Sequence, residues 1–109
     1  MAENWSDAVR DVIKGSLESG DEQKYAFEGR SDKKAGYMVL SKKKVLFIEE
    51  HGFLHKTATL VFNDAYKDIS RVECNKNQLR LVNTNGKTYI VESDIAETIK
   101  EKLESLMTK

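Results

Sequence analysis

Between residues 24 and 92 the chain falls into seven short apolar segments bounded by glycine, asparagine, aspartate, serine and lysine, and it contains no proline. That punctuation constrains the fold more than any other feature. Segments this short at hairpin spacing are strands, not helices. The expected strands cover residues 24–28, 35–40, 45–48, 57–62, 69–74, 79–82 and 87–92. Alternation puts Tyr25 and Phe27 on one face of the first, and Ala58, Leu60 and Phe62 on one face of the fourth. Val72, Cys74, Leu79 and Leu81 point inward, and Tyr89 and Val91 lie opposite Ile90. Val45-Leu46-Phe47-Ile48 is apolar without alternation, as in a strand buried on both faces or one lying under a helix. Residues 29–33 and 41–44 read as turns, and 63–68 as a loop or a single helical turn. Asn85-Gly86 is the pair favoured in tight hairpins, because both residues tolerate positive φ.

A helix is expected at each end. Trp5, Ala8, Val9, Val12, Ile13 and Leu17 recur at the spacing of one helical face over residues 4–17, with Asn4 or Ser6 as the cap. Ser93 or Asp94 caps the second helix, Asp94 and Glu97 stand at capping-box spacing, and Ile95, Ile99, Leu103 and Leu106 form its apolar face. Seven antiparallel strands leave open edges unless the sheet closes on itself. The expected fold is therefore mainly β: a bent, barrel-like antiparallel sheet capped by the C-terminal helix, with an extra N-terminal amphipathic helix. The 109 residues make one globular unit, with a helix and linker over 1–20 and the β domain over 21–109.

Composition removes several function classes. The 18 basic residues balance 18 acidic ones, so a nucleic-acid partner is not expected. With one cysteine, Cys74, no intrachain disulfide can form, which favours a reducing compartment. The N-terminus lacks a basic leader followed by an apolar core, and no apolar run reaches the ~20 residues of a membrane span. The expected location is cytoplasmic, with peripheral membrane attachment as the variant. Cys74 occupies an inward strand position, where a thiol behaves as a small hydrophobe. His51 and His55 flank Gly52 in a turn, and nothing nearby completes a tetrahedral ligand set. No phosphate-cradling glycine loop, nucleophile elbow or zinc-protease helix is present. No catalytic residue, metal or cofactor is therefore expected, and the chain reads as a binding protein, not an enzyme.

One charge cluster stands out. Residues 30–44 hold Arg30, Lys33, Lys34, Lys42, Lys43 and Lys44 against Asp32 alone. They could draw the protein to anionic lipid head groups; the plainer reading is two solvated turns. Turns at opposite ends of one strand would stand about 17 Å apart, which argues against a single compact phosphate site. Acidic residues outnumber basic ones on the N-terminal helix, unlike a membrane-lying helix. Packing on the β domain, or on a second copy through Trp5, Val9, Val12 and Ile13, is expected instead.

Three stretches carry a family resemblance: Gly36 through Ile48, Tyr66 through Val72, and Leu79-Arg80-Leu81 through Gly86 to Tyr89-Ile90-Val91 with the helix that follows. Their order resembles the pleckstrin-homology superfold, in its GRAM and bacterial PH-like branch, over roughly residues 22 to 107. The resemblance implies a seven-stranded bent sandwich closed by a helix. It also implies an adaptor that binds proteins, peptides or anionic lipid head groups. The N-terminal helix departs from that pattern. Fold membership alone does not choose among those ligands. A protein or peptide partner is the first expectation and anionic lipid, held by the loops at 30–34 and 41–44, the second.

Overall fold

The computed structural model describes residues 6–52 and 54–107. Helix α1 (Asp7–Ser16) leads into strands β1 (Gln23–Ser31), β2 (Lys34–Ser41), β3 (Lys44–His51) and β4 (Thr57–Ala65). A single 3₁₀ turn, Tyr66–Asp68, joins them to β5 (Ile69–Asn75), β6 (Gln78–Asn83) and β7 (Thr88–Glu92), and α2 (Ala96–Met107) closes the chain. All pairings are antiparallel, in the order β4-β3-β2-β1-β7-β6-β5. The sheet is thus mainly β with a helix at each end, as its punctuation predicts. No described helix is long and apolar enough to cross a membrane.

β1 meets β7 at one register pair, Arg30 with Glu92, so the sheet is two halves hinged at that corner. Between the halves lies the main core, built from Met38, Leu40, Val45, Phe47 and Phe62 on one side and Leu79, Leu81 and Val91 on the other. Ile99, Leu103 and Leu106 of α2 plug it. A second, smaller cluster lies on the outer face, where Val9 and Ile13 of α1 cover Val39, Leu46 and Ile48. β3 is therefore buried on both faces, which is why Val45-Leu46-Phe47-Ile48 shows no alternation.

Several details differ from expectation. Gly29, Arg30 and Ser31 belong to β1, and the turn shrinks to Asp32-Lys33, with φ of 55° and 67°. Two consecutive positive φ values define the type I′ turn whose twist matches a hairpin. Asn85-Gly86 instead sits in a longer connection, in which only Gly86 has positive φ and Asn83 Oδ1 accepts from the Asn85 and Lys87 N–H groups. β4 carries a bulge at Val61, where Phe47 pairs with Phe62 but Ile48 with Leu60. The extra residue reverses the facing. Phe62 enters the main core, whereas Ala58 packs against the cluster under α1, so Ala58, Leu60 and Phe62 do not share a face. α2 begins one residue later than its periodicity suggests, at Ala96 and not at Ile95. The Ser93 hydroxyl accepts from Ile95 N–H at 3.2 Å, and Ala96 replaces the exposed Ile95 on the buried face. Asp94 pairs with Asn77 instead of forming a capping box with Glu97.

α1 starts where Ser6 Oγ accepts from Val9 N–H. Val9 and Ile13 are buried within the chain and Val12 packs beside them, while Trp5 lies outside the described residues. Of the side chains expected to offer a contact to a second copy, Val9, Val12 and Ile13 are thus engaged with the sheet.

Candidate anion-binding cleft

The six cations between 30 and 44 do not form one site. Register places Ser31 opposite Lys34 and Leu40 opposite Val45, so the two turns lie at opposite ends of β2. Eight residues at strand rise separate them by about 23 Å. At the first end, Lys34 reaches toward buried Glu49 at 3.9 Å, and His51 Nε2 stands 3.0 Å from the same carboxylate. Arg30 lines a wide groove there that also holds Glu28, Glu50, Glu92 and Asp94, so its charge is diluted by acids.

The second end is organised differently. Ser41 is fully buried, and its Oγ donates to Asp21 Oδ2 at 2.8 Å while accepting from Lys44 N–H at 3.0 Å. Asp21 Oδ1 accepts from Lys43 N–H at 3.1 Å, and the Tyr66 hydroxyl donates to Ser41 carbonyl oxygen at 2.6 Å. Tyr66 N–H donates in turn to Lys43 carbonyl oxygen. Burial, with a smaller contribution from the Asp21 charge, pushes the Tyr66 phenol far above its ordinary value. The turn is thereby pinned to both the 17–22 linker and the β4–β5 connection.

Beside this network opens a cleft of about 790 Å³, walled by Leu106 and Met107 at the end of α2. Among the described residues, five lysines line it, Lys24, Lys42, Lys43, Lys44 and Lys67, against one acid, Glu18. They are not equivalent. Lys44 Nζ donates to Ser16 carbonyl oxygen at 2.8 Å and so caps the C-terminus of α1, where a cation opposes the helix dipole. Lys24 Nζ binds Glu22 at 2.9 Å, and that bond together with its charge lowers the Glu22 carboxyl below its usual range. Among the described residues, Lys42, Lys43 and Lys67 have no carboxylate within ion-pair distance, and all three are exposed. A cation cluster beside a low-dielectric wall concentrates anions. Its chemistry is attraction and positioning.

Lys42, Lys43 and Lys44 were visible in the sequence as a run. Lys24 and Lys67 were not, because one opens a strand and the other sits in a connection far along the chain. Only the packing of the β4–β5 connection against the β2–β3 turn unites them.

No protein-family model matches the chain, and no curated protein matches it. Among solved structures it is similar to the C-terminal domain of an unknown protein from Leishmania infantum, with a TM-score of 0.69 and 16% identity over 93% of this chain and 99% of that one. A likeness at that identity extends to the fold and no further.

Proposed function

We propose that the chain is a non-catalytic binding module of the PH-like kind its element order resembles, and that it holds an anionic group of a protein partner in the lysine-lined cleft. The observation that carries this reading is the cleft itself. Lys42, Lys43 and Lys67, which have no carboxylate within ion-pair distance among the described residues, line it beside an apolar wall, and the turn that carries the first two is fixed by buried hydrogen bonds. Preorganisation of that sort lowers the ordering cost of binding. Anionic lipid is the second reading, and the same cluster would serve it. The arrangement favours it less, because the basic turns point to opposite ends of β2 and a membrane met end-on by one leaves the other in solution.

Chemical-shift mapping of the ¹⁵N-labelled chain with inorganic tripolyphosphate tests the site, at about 25 mM and about 150 mM salt. The expected result is shifts clustered on Lys42, Lys43, Lys67 and Met107, weaker at the higher salt. Shifts confined to Arg30, Lys33 and Lys34, or no shifts at all, would remove the cleft as the site.

A further inference from the structure

A short acidic segment of its own chain borders the cleft: Glu18 lines it, and Asp21 and Glu22 bind the turn that carries Lys42 and Lys43. Linker residues Glu18, Ser19, Gly20, Asp21 and Glu22 run along the β2–β3 turn. Glu22 carbonyl oxygen accepts from Lys42 N–H at 2.8 Å, as one strand edge does from another. Asp21 spans the turn with both carboxylate oxygens, one on Ser41 Oγ and one on Lys43 N–H. Glu22 holds Lys24, and Glu18 is the one acid of the lining among the described residues. The carboxylates that this turn already accepts are those an acidic peptide presents, and the apolar wall of Leu106 and Met107 suits a chain that carries side chains besides its charges.

The segment leaves its own surroundings undersaturated: among the described residues, Lys42, Lys43 and Lys67 line the cleft with no carboxylate within ion-pair distance. We infer that the module's partner is an acidic peptide segment, rich in Asp and Glu, which lies beside the linker in this cleft and pairs with those three lysines. This rests on the cleft being the binding site and adds the partner's class. It also assigns the linker a second role. Glu18 and Glu22 reduce the positive field that an incoming anion meets in the cleft, so their charges set the threshold a partner must exceed.

The test is fluorescence anisotropy with a labelled octapeptide of alternating Asp and Glu, alongside co-sedimentation with vesicles of neutral and of anionic lipid. The acidic peptide should bind, and the triple variant Lys42→Ser, Lys43→Ser, Lys67→Ser should weaken it at least tenfold with the circular dichroism spectrum unchanged. Glu18→Gln with Glu22→Gln should tighten it several-fold, a gain that a misfolded protein would not show. Binding to anionic vesicles without binding to the peptide overturns the inference and leaves the cleft as an anion site. Peptide binding that ignores all five substitutions overturns it too. Silence from peptide, vesicles and tripolyphosphate alike overturns both the inference and the site beneath it.

Discussion

The two lysine-bearing turns that end β2 look alike in sequence and are built on different principles. Asp32-Lys33 is a minimal turn: two residues with positive φ, both exposed. Its shape comes from backbone geometry alone, and its cations reach away into solvent or toward Glu49. Lys42-Lys43 is held from three sides, by Ser41, Asp21 and Tyr66, and its cations converge on a cleft. Charge density in a sequence thus says little about a site; what decides is whether tertiary contacts fix the backbone that carries the charge.

The comparison can be broken by substitution. The largest effect is expected near the first turn, at Gly36. A Cβ there would lie 2.2 Å from Ile48 carbonyl oxygen and 2.9 Å from Phe47 Cε2, in packed backbone with no room to yield. Gly36→Ala should cost about 3 kcal/mol or more in a urea melt. A loss below ~1 kcal/mol would mean that β2 and β3 approach each other there less closely than the structure shows.

Next comes Ser41→Ala at the braced turn. It strips the Asp21 carboxylate and the Lys44 N–H of a buried partner, so a loss of about 2 kcal/mol is expected. If the variant is as stable as the parent, the two turns are not differently braced after all.

Tyr66→Phe should cost about 1 kcal/mol at neutral pH, where it removes the hydrogen bond to Ser41. Its pH signature is sharper. The folded phenol titrates well above the ordinary value of about 10, so in alkali the unfolded chain loses its proton first. Tyr66 therefore contributes full stability below that pH, and its contribution falls as pH rises past it. Denaturation followed from pH 7 to about pH 11 should show the gap between parent and variant closing above pH 10. A gap that stays constant would place the Tyr66 hydroxyl in water.

The smallest change belongs to the bare turn. Lys33 holds φ of 67°, which costs a side-chain-bearing residue and not glycine. Lys33→Gly should raise stability by about 0.5–1 kcal/mol and leave tripolyphosphate shifts at Lys42 and Lys43 untouched. Loss of those shifts would show that the two ends of β2 act together.

Much of this molecule is legible in its residues. Seven apolar segments between turn formers, no proline and a periodic C-terminal stretch suffice for seven strands and a closing helix, because each rests on local periodicity. The uniform apolar run at Val45–Ile48 announces burial on both faces. Errors fall where one extra residue or one local bond decides: the Val61 bulge reverses a face, and Asp94 bonds Asn77 instead of closing a capping box with Glu97.

The cleft follows the opposite rule. Three of its lysines form a run in the sequence, but Lys24, Lys67, Asp21 and Tyr66 are scattered over more than forty positions. The sequence by itself determined which segments become strands and helices, because side-chain period and turn chemistry act over a few residues. Tertiary structure alone decided that Lys44 caps α1, that Lys24 serves Glu22, and that Lys42, Lys43 and Lys67 share one cleft. Those facts depend on which distant backbones come to lie side by side, and long-range packing, unlike periodicity, leaves no mark in the spacing of residues.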